Sequence, residues 1–205
     1  MNELTAENLH LWRGEHHVLQ GVAFALTGGQ CLQVTGANGA GKTTLLRALC
    51  GLVPQEEGRV CWQGRDIRED PESFHSELAY LGHDNGLKGD LTAQENLHYA
   101  ARLRRRVSGE DIAAALSRVG IPEVGPQRVR RLSAGQRRRV ALARMTLIGG
   151  ALWIMDEPGS NLDTRGQGLV KELLESHLAT GGAAVVATHL ELGLSAAQLQ
   201  GLALQ

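Results

Sequence analysis

Over the first 35 residues, apolar side chains alternate with polar or small ones: Leu9 and Leu11, then Val18, Val22, Phe24 and Leu26. A period of two predicts half-buried strands over residues 3–35, with His16 and His17 exposed in a polar turn and not binding metal. Cys31-Leu32-Gln33-Val34-Thr35 reads as the last of these strands. A helix-like run, Thr44-Leu45-Leu46-Arg47-Ala48-Leu49, follows and stops at Gly51. Val60, Trp62 and Ile67 around Gln63-Gly64 predict a short hairpin, and Leu78-Ala79-Tyr80-Leu81 another strand. The period then changes. Thr92-Ala93-Gln94-Glu95 reads as a capping box ahead of a helix over 96–105, with further helices over 111–119 and 133–147. Ala151-Leu152-Trp153-Ile154-Met155 is a continuous apolar run, as in a strand buried on both faces, and a helix over 165–179 and a second such strand at 183–187 follow. The alternation predicts an α/β fold: a parallel sheet sandwiched by helices, with an all-helical insertion at about 90–145 inside a single 205-residue unit.

Composition narrows the picture. Hydrophobic content of 42% and charged content of 21% are those of an ordinary globular protein, and aromatics at 3% leave the core to Leu, Val, Ala and Ile. Net charge is −1, yet residues 102–144 hold twelve Arg and no Lys against three acids, Glu110, Asp111 and Glu123. A basic block of this kind is either a solvated helical face or a surface for nucleic acid, anionic lipid or an acidic partner. Cys31, Cys50 and Cys61 are odd in number and lack CxxC spacing, which predicts buried thiols in place of a disulfide framework or zinc site. No secretory leader is visible, and no apolar run approaches the roughly 18 residues of a membrane span. The expectation is a cytoplasmic chain unless a partner holds it at a membrane.

Between the strand at 31–35 and the helix after it lies Gly36-Ala37-Asn38-Gly39-Ala40-Gly41-Lys42-Thr43-Thr44. Strand, glycine-rich loop with Lys-Thr, then helix is the context a phosphate-binding P-loop requires. Glycines let backbone N–H groups approach phosphate oxygens, and the helix N-terminus adds the positive end of its dipole. Lys42 reaches the outer phosphates, and the Thr43 hydroxyl suits Mg²⁺. The pattern predicts binding of a nucleoside triphosphate. Asp156 and Glu157 stand where the buried strand at 151–155 emerges, the usual place for ligands in open α/β sheets. There Asp156 can hold Mg²⁺ and Glu157 can polarise a water aimed at the γ-phosphate.

Leu132-Ser133-Ala134-Gly135-Gln136 joins Ser, Gly and a helix N-terminus, which is a second anion-binding arrangement in one chain. One triphosphate needs one cradle, so the second is expected to serve a neighbouring molecule. With these motifs the chain resembles the ATP-binding cassette (ABC) ATPases over essentially its whole length. The resemblance implies a P-loop NTPase core with an N-terminal antiparallel β subdomain and an inserted α-helical subdomain. It implies ATP and Mg²⁺ as cofactors and a homodimer sandwiching ATP, in which Ser133, Gly135 and Gln136 contact the nucleotide held by the partner's P-loop. Lys42, Glu157 and His189 match the catalytic positions, His189 being the switch histidine. Ser160-Asn161-Leu162-Asp163 matches the loop between protomers. Trp12, or Arg13 by a slip of one, matches the adenine-stacking ring. Where the family has a Gln that senses Mg²⁺ and water, this chain has His83, which the resemblance sets beside Thr43 and Asp156 at the metal.

Within the family, Tyr80-Leu81-Gly82-His83, Gly86-Leu87-Lys88 and the run from Leu91 to Leu97 look like those of ATP-binding subunits of haem exporters for cytochrome c maturation. That likeness implies integral membrane subunits of the maturation complex as partners, haem or a haem-loaded chaperone as the object moved or released, and a peripheral place on the cytoplasmic face of the bacterial inner membrane. No nucleic acid is expected. The rival reading, motivated by the arginine block, is a soluble ABC ATPase acting on nucleic acid or ribosomes, which would bind nucleic acid in a salt-dependent way.

Overall fold

In the computed structural model, which describes residues 2–204, the chain runs β1 (Glu3–Arg13), β2 (His16–Thr27), β3 (Cys31–Thr35), α1 (Lys42–Leu49), β4 (Glu57–Trp62), β5 (Arg65–Asp66), α2 (Pro71–Glu77) and β6 (Leu78–Leu81). It continues with α3 (Ala93–Arg102), α4 (Gly109–Arg118), two short 3₁₀ turns, α5 (Ala134–Ile148), β7 (Leu152–Asp156), α6 (Thr164–Ala179), β8 (Ala183–Ala187) and β9 (Leu199–Ala203). The strands form an antiparallel sheet, β2-β1-β4-β5, and a parallel sheet, β6-β7-β8-β3-β9. Between β6 and β7 every element is helical.

The continuous apolar runs have the cause expected of them. Along β7, Leu152 and Ile154 join one core with α1 and the antiparallel sheet, while Trp153 and Met155 join a second with α3 to α6. β8 divides likewise, Ala183, Val185 and Ala187 against Ala184 and Val186. A strand with a core on each face has no polar side, so its period-two pattern disappears from the sequence.

Several boundaries differ from those expected. The β1–β2 turn is Gly14-Glu15, and His16 and His17 are the first residues of β2. His17 is not in a turn because its ring lies flat on Trp12, centroids 3.9 Å apart and planes 7° from parallel, across the β1–β2 pair. α3 begins at Ala93, directly after its Thr92–Glu95 capping box, and α4 at Gly109, after a second box made by Ser108 and Asp111. Two elements were not expected. α2 is a short helix capped by Asp70 with Pro71 in its first turn, and β9 is an edge strand parallel to β3.

The arginine block is neither wholly a solvated face nor wholly a partner surface. Six of its twelve guanidinium groups donate to backbone carbonyls: Arg104 to Ser76 and Leu78, Arg105 to Leu147, Arg137 to Leu132, Arg138 to four, Arg139 to Val119 and Arg144 to Gly86. Half of these arginines therefore staple the helical segment together and to the sheet. All three cysteines are buried and free, and burial pushes the Cys31 thiol up to about 12.

Candidate functional site

β3 ends at Thr35 and α1 begins at Lys42, with the glycine loop between them. Leu45, Leu46, Ala48 and Leu49 are fully buried and seat α1 against β7 and β8, which fixes where its N-terminus points. Gly41, at φ 93°, turns the chain into the helix, and no side chain caps the first turn, so its N–H groups are left for a ligand. Lys42 is buried although charged. Its Nζ spans the loop, donating to the carbonyls of Gly36 at 2.8 Å and Ala37 at 3.0 Å. An ammonium on such weak acceptors is readily transferred to phosphate oxygens, which are charged acceptors.

The neighbouring Thr43 hydroxyl donates to Asp156 Oδ2 at 2.7 Å. Thus the loop and the end of β7, 113 residues apart, present two hard oxygens to one point. Mg²⁺ takes one or two protein oxygens and fills its remaining positions with water and phosphate, and this pair fits it. The described residues contain no cluster of three or more His, Cys, Asp or Glu that would make an all-protein metal cage.

Glu157 leaves β7 in the left-handed region, φ 47°, unusual for a residue with a side chain. Its N–H bonds Ala187 O at 2.8 Å, and its carbonyl accepts from Arg138 Nη2 at 2.7 Å. Its carboxylate accepts from the Thr188 hydroxyl at 3.2 Å and stands 3.8 Å from His189 Nε2. The backbone twist turns this side chain away from the sheet and towards the loop.

A cavity of about 350 Å³ is lined by Arg13, Asn38, Gly39, Gly41, Lys42, Thr43, Thr44, Arg47, His83, Asp156 and Glu157. Nine of the expected residues, Asn38, Gly39, Gly41 to Thr44, His83, Asp156 and Glu157, therefore line one cavity, and His189 joins them through Glu157. Gly36, Ala37 and Ala40 do not line it, and the carbonyls of the first two accept from Lys42. Of the two adenine-side candidates, Arg13 lines the cavity; Trp12 does not and stacks on His17. Arg47 was not singled out from sequence, although its place one turn beyond Thr43 on α1 signals it.

Ser133, Gly135, Gln136 and Asp163 are not on this cavity. Ser133 caps α5, its Oγ accepting from Gln136 N at 3.1 Å while Gln136 Oε1 accepts from Ser133 N at 3.0 Å. Asp163 caps α6 through Gly166 N at 2.8 Å and lies 3.4 Å from Arg139. Both segments are solvent-facing at their caps.

This loop-and-carboxylate arrangement on a parallel sheet, with a helical segment carrying a second helix start, is that of an ABC-type ATPase. The chain belongs to the ABC transporter family, whose model matches residues 19–160. Among curated relatives, the "Cytochrome c biogenesis ATP-binding export protein CcmA" of Methylococcus capsulatus is 48% identical over 187 residues, 91% of this chain and 90% of its own. The protein of the same name from Nitrosomonas europaea is 45% identical over 204 residues, covering 98% and 95%. Among solved structures, an ATP-binding subunit of an ABC transporter superposes with a TM-score of 0.82 at 25% identity, over 91% of this chain and 79% of that one. A bacterial Atm1-family ABC exporter with ATP bound superposes with a TM-score of 0.85 at 24% identity, over all of this chain and 37% of that one. The chain is accordingly an ATP-hydrolysing protein of the ABC type. No described helix is long and apolar enough to cross a membrane, and membrane transport partners come with the family.

Proposed function

We propose that this chain is the ATPase subunit of a membrane export complex that serves cytochrome c maturation, on the cytoplasmic face of a bacterial inner membrane. It acts with integral membrane subunits, and haem or a haem-loaded chaperone is the object moved or released. Two copies close on two ATP molecules. The similarity to curated cytochrome c biogenesis export proteins along nearly the full length supports the class of cargo. The observation that carries the chemistry is the 2.7 Å contact of Thr43 with Asp156, with Glu157 next in the chain and turned towards the same cavity.

In this reading the glycine loop and the start of α1 bind the phosphates through backbone N–H groups, and Lys42 exchanges its carbonyl partners for β- and γ-phosphate oxygens. Thr43 and Asp156 would hold Mg²⁺, with His83 nearby, and the ion would supply positive charge beside the transferred phosphoryl group. Glu157 accepts a proton from water as its oxygen attacks the γ-phosphorus and the bond to the ADP oxygen breaks. Thr188 and His189 hold that carboxylate in place, and His189 is positioned to meet the γ-phosphate. Arg13 forms the wall on the side where the base lies. Ser133, Gly135 and Gln136, lying off the cavity, reach the nucleotide of a second copy, and Asp163 lies at that same junction.

Glu157→Gln tests the reading. The variant is expected to bind ATP with unchanged affinity, to lose hydrolysis by on the order of 10²- to 10⁴-fold, and to accumulate as ATP-bound dimers on size exclusion. Hydrolysis at a near-normal rate would remove Glu157 from the role of base.

A further inference from the structure

We propose that Arg138 is a positioning residue for hydrolysis, a buried clamp that fixes the Glu157 backbone and the His83 loop to the helix bearing Ser133. The inference rests on the assignment of Glu157 as the base. Arg138 lies five residues past Ser133 on α5 and is only 1% exposed. A guanidinium has five N–H donors in a rigid planar fork, and here five acceptors answer them. On one side Nε donates to Pro158 O at 3.2 Å, and Nη2 to Asp156 O and Glu157 O, both at 2.7 Å. On the other, Nη1 donates to Gly82 O at 3.1 Å and to Asn85 Oδ1 at 3.0 Å.

These contacts hold two strand exits, those of β6 and β7, at a fixed separation across the cavity. One flanks His83 and the other carries Asp156 and Glu157. Glu157 sits at φ 47°, a conformation that persists only where its surroundings impose it. Its N–H is tied to Ala187 and its carbonyl to Arg138, so the peptide is held from both ends. Without the guanidinium that peptide relaxes and the carboxylate moves off the line of attack. Burial pushes the Arg138 side chain down to about 10, with Asp156 and Glu157 opposing the shift, so it remains charged at neutral pH. Because the fork starts from α5, any movement of that helix towards a second nucleotide is carried to both exits.

The experiment measures kcat, KM, affinity for a non-hydrolysable ATP analogue and the thermal midpoint in the full chain. The variants are Arg138→Gln, Arg138→Lys, Asn85→Ala, the Asn85→Ala/Arg138→Gln double and, in parallel, Glu157→Gln. Arg138→Gln is expected to lower kcat by on the order of 10- to 100-fold while KM and analogue affinity stay within about threefold, since small misplacements act on the reacting geometry. Arg138→Lys recovers only part of the rate, because three donors on one atom do not span both exits. Asn85→Ala lowers kcat a few-fold, as expected of one hydrogen bond, and adds nothing to Arg138→Gln in the double. A folded Arg138→Gln chain at wild-type kcat, or one altered in KM alone, overturns the clamp. Should Arg138→Gln fail to fold, Asn85→Ala decides, and unchanged kcat there overturns it. If Glu157→Gln retains hydrolysis, the base lies elsewhere and the site reading falls with the clamp; an inactive Glu157→Gln beside a fully active Arg138→Gln removes the clamp alone.

Discussion

The helices α1 and α5 both present an N-terminus next to a glycine, and they begin in opposite ways. α1 starts from Gly41 in the left-handed region, and no side chain caps it. α5 starts from Ser133 in an extended conformation, with Ser133 and Gln136 closing a reciprocal box on each other's backbone N–H groups. An uncapped helix start is incomplete until an anion satisfies it; a capped one is stable alone. The Ser133 hydroxyl keeps its own proton to donate, and the box leaves α5 able to cover a phosphate without depending on it. In the proposed reading this difference makes one helix start the receptor for triphosphate and the other its cover, and the two do not share a cavity within one copy.

The largest effect expected of that arrangement comes from breaking one end in each of two chains. Lys42→Ala disables the receptor, and Ser133→Glu sets a carboxylate where the cover meets phosphate. Each variant alone is expected to be inactive. Mixed one to one, they should recover about a quarter of wild-type ATPase activity, because half the dimers are mixed and each has one intact site of two. A mixture as inactive as its components would show that the receptor of one copy does not meet the cover of another.

Smaller effects come from a methyl group at each glycine. At Gly41 a Cβ would stand 2.7 Å from Val18 Cγ1 and 3.2 Å from Val18 O, at φ 93°. The left-handed conformation alone costs a side chain about 1–2 kcal/mol, and the packing forces the loop to move. Gly41→Ala is therefore expected to weaken ATP binding by about tenfold or more. At Gly135, among the described residues, the one atom within 4 Å outside its own helix is Asn161 O at 3.0 Å, and the backbone is helical. Gly135→Ala should weaken nucleotide binding far less than Gly41→Ala, because this helix start is off the cavity of its own copy and meets nucleotide only across the proposed dimer. Isothermal titration on both variants checks the contrast, and equal losses would erase it.

The receptor was legible because its residues are contiguous: a glycine loop with Lys42 and Thr43, and an apolar strand ending in Asp156 and Glu157, each carry their context in a short window. Trp12 and Arg13 are adjacent on a strand and face opposite ways, so a pattern accurate to one residue leaves the choice open; in the structure Arg13 lines the cavity while Trp12 lies against His17. Arg138 was hidden in Arg137-Arg138-Arg139. These three neighbours go to Leu132 O, to the two strand exits and to Val119 O, and two of the Arg138 partners lie 53 and 56 residues away. Nothing in the composition of a charge run distinguishes a buried member. β9 escaped notice because an edge strand buries little, and its partner β3 lies near the other end of the chain. α2 did signal itself, in Asp70 before Pro71, but its seven residues bury only Phe74 and carry no readable period.

The smallest effect tests the cap itself. Ser133→Ala removes the oxygen that accepts from Gln136 N, and such a loss costs about 1 kcal/mol. In a chain of this length that lowers the melting point by about 2–4 °C. Gln136→Ala removes the reverse bond to Ser133 N. Because each side chain is held in place by the turn the other closes, the double variant should lose less than the sum of the singles. α1 has no side-chain cap whose removal would do the same; its start is left to be satisfied by a ligand, so added MgATP should raise the melting point of the Ser133 and Gln136 variants and of the parent alike. Calorimetric melts with and without nucleotide decide the matter. A Ser133→Ala chain that melts with the parent would mean α5 does not complete its own first turn, and the contrast between the two helix starts would lose its physical basis.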